Sequence, residues 1–190
     1  MRVVDELAFD RHTTNIFGTL QRLVALFADA GVDYRLVGGL AVYLHVTSVE
    51  SDAGRSTQAV DVAIRRTDLD RIQALAPQHG FQFRHAAGVD MLVDAKTQRA
   101  RGGIHFVFSQ EKVRPEYVAA VPALQGGQTG RFGVLVMALP DLLRMKLTSF
   151  RLKDQVHVQD LNSVGLITAE VEAALSPNLR ERLSQVRASR

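Results

Sequence analysis

Residues 37–46 read VGGLAVYLHV and residues 55–64 read RSTQAVDVAI, and these two runs decide the fold. Tyr34 to Val37 is a short apolar approach, Gly38 and Gly39 follow it, and Leu40 to Val46 is apolar enough to pack. The pattern predicts a strand, a sharp Gly-Gly turn, a short helix, a polar loop and a second strand. Glycines in such a turn expose the first backbone N–H groups of the helix, and a helix start of this kind attracts anions, phosphate above all. In the second strand, residues two apart share a face, so Ala59, Asp61 and Ala63 point one way and Val60, Val62 and Ile64 the other. Carboxylates at both 59 and 61 would form a pair able to hold magnesium beside a phosphate group. Only Asp61 is present.

Composition narrows the class. The chain has 190 residues, 46% apolar and 23% charged, the balance of a globular protein with a real core. It has no cysteine, which excludes disulfides, thiolate zinc sites and cysteine nucleophiles together. The opening segment MRVVDELAFDRH mixes charges among its apolar residues and has no signal-peptide core, and no run approaches a membrane span. A cytoplasmic protein with no membrane partner is expected. A net charge of +3 is mild and admits nucleotide or RNA contact without requiring it.

Read in order, Thr13 or Thr14 caps a helix running to about Ala30, closed by Gly31. Arg65 to Thr67 opens a further helix that closes near His79-Gly80. Phe81 to His85 and Val89 to Val93 flank Ala87-Gly88 as a hairpin. Ile104 to Phe108 is a core strand, residues 109–133 are loop-like, and Phe132 to Met137 is a last short strand. Pro140 then sits in the first turn of a helix, a second amphipathic helix follows, and the tail from Thr168 is helical with a break at Pro177. The expected fold is α/β (α+β), a mixed sheet flanked by helices, over residues 1–138, with a small C-terminal helical subdomain over residues 139–190.

Gly-Gly followed by R-x-T-x-x-[apolar]-D, at Gly38, Gly39, Arg55, Thr57 and Asp61, resembles the minimal nucleotidyltransferase (polymerase-beta-like) superfamily. The segment RMKLTSFRLKDQVHVQDL at residues 144–161 is similar to the C-terminal part of bacterial nucleotidyltransferase-like proteins related to the AbiE-type toxins. The resemblance implies nucleotide binding by Gly38, Gly39, Arg55, Ser56, Thr57 and Lys146, and catalysis by Asp61, Lys146 and Asp160, with Asp160 preferred to Asp154 as the acid. It implies magnesium or manganese on Asp61 and on His105, which falls where the superfamily carries its third acid. Three departures stand out: Gly39 where a serine is usual, Ala59 for the first acid of D-x-D, and His105 for the third.

Each residue has a plainer reading. Asp61 would sit at an exposed strand edge or pair with Arg55; Arg55 and Thr57 would merely end the loop; His105 would be a hydrogen-bonded strand histidine. Lys146, Lys153, Asp154, His157 and Asp160 would be a solvated helix face, where removing the Lys146 charge leaves the fold intact. Two functions are expected in competition. One is transfer of a nucleoside monophosphate from a triphosphate to a hydroxyl on tRNA, a protein or a small molecule. The other is a nucleotide- or RNA-binding module without turnover, favoured by Ala59. A cognate antitoxin is the partner that the toxin resemblance implies.

Overall fold

The computed structural model describes residues 2–55, 57, 59–100, 102–130 and 133–189, with side chains from Ile16 onward. Helix α1 (Arg2–Ala30) leads into β1 (Tyr34–Val37), α2 (Gly38–Val49) and β2 (Val60–Ile64). A 3-10 turn over Arg66–Asp68 opens α3 (Leu69–Leu75), and β3 (Phe81–Ala86), β4 (Val89–Asp94) and β5 (Ile104–Phe108) follow. The C-terminal part holds β6 (Gln128–Thr129), β7 (Leu135–Val136), α4 (Leu139–Ser149), α5 (Leu152–Ser163), α6 (Ala169–Ala173) and α7 (Pro177–Ala188). The architecture is α/β, a mixed seven-stranded sheet in the order β3-β4-β5-β2-β1-β7-β6.

Strand β2 lies at the centre, antiparallel to β1 and parallel to β5. All four residues of β1 are buried, and in β2 only Asp61 escapes full burial. A strand covered on both faces reads as a near-continuous apolar run, so one carboxylate inside VDVAI marks a place where the cover opens. Helices α4 and α5 pack on α2, and α7 packs on both. One apolar core therefore joins Leu40 and Val42 of α2 to Leu142, Leu147, Val158, Leu161, Leu179 and Leu183.

The hairpin forms as its sequence predicts, β3 pairing antiparallel with β4 around Ala87-Gly88. Two elements differ from expectation. Helix α1 starts at Arg2, so Thr13 and Thr14 lie within it rather than at its start; no glycine or proline precedes them to stop the helix earlier. The last strand is confined to Leu135–Val136, with Phe132 outside the described residues, and the preceding loop contributes β6.

Candidate functional site

The site is built where β1 ends. Val37 is followed directly by the first residue of α2, and no side chain caps that helix start. Gly38 has a φ of +72°, which favours glycine. A Cβ at position 38 would also collide with Asp61 Oδ2 and lie 2.9 Å from Asp61 Cβ and Cγ. Two independent demands, dihedral and space, therefore place glycine here. Register explains the proximity, since Asp61 is aligned with Val37 on one side and His105 on the other.

Asp61 and His105 are each about one third exposed, and His105 Nδ1 lies 3.3 Å from Asp61 Oδ1. The strand histidine is thus tied to the carboxylate. Asp61 does not pair with Arg55. Arg55 instead donates from Nε to both oxygens of Asp160, at 2.9 and 3.0 Å, with Arg55 largely exposed and Asp160 nearly buried. This bridge holds the loop before β2 against α5. Thr57 lies below it, its Oγ1 accepting from Ala59 N at 3.5 Å. Ser56 lies outside the described residues.

Lys146 departs from the solvated-face reading. It is 5% exposed and donates from Nζ to Asp154 Oδ1 at 3.2 Å. The sharp corner at Phe150, which turns α4 into α5, brings the two together. Asp154, fully buried, also accepts from Ser149 Oγ at 2.9 Å and from Arg151 Nε at 2.6 Å. It sits in the first turn of α5, where the helix dipole also favours a negative charge. Burial opposes ionisation of Asp154, but the Arg151 hydrogen bonds, the Lys146 charge and Ser149 prevail and hold it down at about 2. Burial pulls Lys146 below the usual lysine range while Asp154, and at longer reach Asp61, oppose the shift. Asp154 is therefore a carboxylate at neutral pH. The acid beside Lys146 is thus Asp154, while Asp160 serves Arg55.

His157, from the same helix, reaches the turn. Its Cε1 and Nε2 lie 3.2 and 3.3 Å from the place a Cβ on Gly39 would take, and Thr57 Oγ1 lies 3.1 Å from it. A serine at 39 would have to push both aside by a few tenths of an ångström. Burial and then the Lys146 charge push His157 down to about 4, so it is neutral at physiological pH. Its place was readable from spacing: Asp154, His157, Val158 and Leu161 fall at i, i+3, i+4 and i+7, the inward face of α5.

A metal is the group the resemblance implies, and the donor set can be tested for it. Among the described residues, no group of three or more His, Asp or Glu side chains converges where a metal ion could sit. Asp61 brings one carboxylate, its neighbour His105 already contacts it, and magnesium prefers oxygen ligands. These residues do not fit a cation held by the protein alone. Among the described residues, no helix is long and apolar enough to cross a membrane.

No protein-family model matches the chain, and no curated protein matches it in sequence. Several solved structures share its shape, among them the following two. The crystal structure of ANT(2'')-Ia in complex with adenylyl-2''-tobramycin superposes with a TM-score of 0.57 at 10% identity, covering 91% of this chain and 97% of that one. An antigenic nucleotidyltransferase-like protein from Paracoccidioides brasiliensis gives 0.57 at 17% identity, over 93% and 89%. The strand order around β2, the turn at Gly38 and these superpositions agree: the chain has the nucleotidyltransferase-like fold.

Proposed function

We propose that this chain binds a nucleoside triphosphate at the Gly38-Gly39 turn, on the nucleotidyltransferase-like fold, and transfers a nucleotidyl group slowly or not at all. The observation that carries the reading is the Asp61–Gly38 contact, which puts a single carboxylate beside an uncapped helix start. Backbone N–H groups of Gly38 and Gly39 would receive the phosphates, as helix starts do. Arg55 would join them by exchanging the Asp160 carboxylate for phosphate, since a guanidinium matches both bidentately. Lys146 adds positive potential from below and keeps its place through Asp154. Magnesium or manganese would arrive as the counter-ion of the triphosphate.

Low turnover follows from chemistry at Ala59. Phosphoryl-group chemistry depends on positioning and on neutralising charge, and one carboxylate with a histidine is a thin set for both. Were transfer to occur, the acceptor would be a hydroxyl on tRNA, a protein or a small molecule. ANT(2'')-Ia, solved with adenylyl-2''-tobramycin, shows the fold holding a nucleotidylated small molecule. The antitoxin partner and a cytoplasmic location are part of the proposal and rest on sequence alone.

The test is calorimetry of the full chain with each of the four nucleoside triphosphates, with and without divalent metal. Binding of at least one is expected, with a matching rise in melting temperature, because a ligand of the folded state stabilises it by mass action. No heat and no thermal shift with any of the four would overturn the reading.

A further inference from the structure

Arg182, on the last helix, is a charged group that the function above leaves unused. Its Nη1 donates to Leu147 O at 2.7 Å and to Thr148 O at 2.8 Å. These carbonyls belong to the last turn of α4, where a helix offers them no partner of its own, and both residues are buried. The guanidinium also lies over the Phe150 ring, 5.1 Å from its centroid. Among the described residues no carboxylate pairs with Arg182, so its charge goes to the negative end of the α4 dipole. Phe150 has a φ of +49°, in the left-handed region that favours glycine. A phenylalanine keeps that conformation where its surroundings hold it there. Arg182 does so from α7, and Gln155 Nε2 from α5, donating to Phe150 O at 3.1 Å. The corner they hold carries Lys146 in the last turn of α4 and Asp154 in the first turn of α5. The angle between its arms therefore sets the 3.2 Å from Lys146 Nζ to Asp154 Oδ1.

We propose that Arg182 is a positioning residue of the candidate site: from α7 it holds the Phe150 corner closed and so keeps Lys146 against Asp154. Its bearing on a ligand rests on the nucleotide reading and deepens it by naming what sets the lysine that reading uses. Without the guanidinium, Leu147 O and Thr148 O are left unpaired in a buried place, which is costly. The corner relieves that cost by opening to water, and opening draws the last turn of α4 away from the first turn of α5. Lys146 then leaves Asp154 for solvent. A lysine at 182 keeps a charged donor but lacks the planar face that lies over Phe150, so it holds the corner less firmly.

The experiment reads the Cε carbon NMR signal of Lys146 in the parent chain, Arg182→Gln and Arg182→Lys without ligand. ATP is then titrated into each by calorimetry at low salt, with melting curves as a check on folding. Lys96, Lys112 and Lys153 are exposed and supply the solvated reference in the same spectrum. The parent Lys146 signal should stand apart from those three. In folded Arg182→Gln it should move most of the way to them, and ATP affinity should fall about three- to tenfold. Arg182→Lys should lie between the parent and Arg182→Gln in both readings. Lys146 unmoved in a folded Arg182→Gln overturns the inference, and should that variant not fold, an unmoved signal in Arg182→Lys overturns it instead. A moved Lys146 signal with unchanged ATP affinity reduces Arg182 to a helix cap and also overturns it. Absence of ATP binding by the parent overturns the nucleotide reading, while the Lys146 signal still decides whether Arg182 positions that residue.

Discussion

The Asp61 carboxylate rests directly against Gly38, so closely that position 38 has no room for a Cβ. One residue ends a strand and starts a helix; the other is the lone acid of the central strand. Their contact fixes the distance between the uncapped N–H groups of α2 and the only charge on β2. Everything proposed for the site depends on that arrangement.

Gly38→Ala should therefore be strongly destabilising. It adds a Cβ that meets Asp61 and forces a left-handed φ on a residue that resists it, together costing about 3 kcal/mol or more. Gly165→Ala is the control, since Gly165 has a φ of +75° and open space around it; it should cost only about 1 kcal/mol. Urea denaturation of both variants separates the collision from the dihedral. Equal losses would show that Asp61 yields to position 38.

Lys146→Ala should lower stability as well as any ligand affinity. It removes one side of a buried ion pair and leaves Asp154 to Arg151 and Ser149. Breaking such a pair is costly, and with Arg151 still present the loss should be about 2 to 4 kcal/mol. Chemical denaturation measures it; a variant as stable as the parent would mean that Lys146 contributes charge to the surface alone.

Acid should destabilise the fold in two windows. His157 titrates at about 4 when folded and near 6.5 unfolded, so the unfolded state binds more protons between those values. Stability from this residue is present above pH 6.5 and is lost as pH falls to about 4, by on the order of 3 kcal/mol. Asp154, held at about 2 against 3.8 unfolded, adds a second loss as pH falls through that lower range. Stability curves of His157→Gln should be flatter than the parent between pH 6.5 and 4 and parallel to it below. A parent slope that survives the substitution would assign the acid sensitivity elsewhere.

Much of this was legible in the chain itself. An acid inside VDVAI contradicts an otherwise buried strand, and two glycines after an apolar run announce a turn, so Gly38 and Asp61 could be picked out by local pattern. Pattern fails where the deciding contact is distant. Lys146 reads as solvent-facing because nothing in a helical repeat shows that the chain reverses at Phe150 and folds the lysine onto Asp154. Arg55 reads as a free phosphate ligand because its partner, Asp160, comes from α5, far along the chain from the loop that holds Arg55. Strands β6 and β7 have two residues each, too few to carry a period of two.

Ala59→Asp should gain transfer activity. Ala59 immediately precedes β2 and is half-buried, so a carboxylate there can reach water. A second acid beside Asp61 would let magnesium bind through carboxylates and substrate phosphates together. Restoring one electrostatic group of this kind is worth about a hundredfold or more in rate. Incorporation of label from the four triphosphates into tRNA, protein or the chain itself, with magnesium or manganese, reports it. Robust transfer by the parent with no gain in the variant would show that position 59 lies outside the reacting centre.

The central claim, that a triphosphate sits on the Gly38-Gly39 turn, is tested most directly by following backbone amide NMR signals of the full chain as ATP or GTP is added. The largest saturable shifts are predicted at the amides of Gly38, Gly39 and Leu40, with smaller ones at Arg55 and Thr57. Saturable binding whose shifts lie on other elements, leaving those three amides unmoved, would contradict the account.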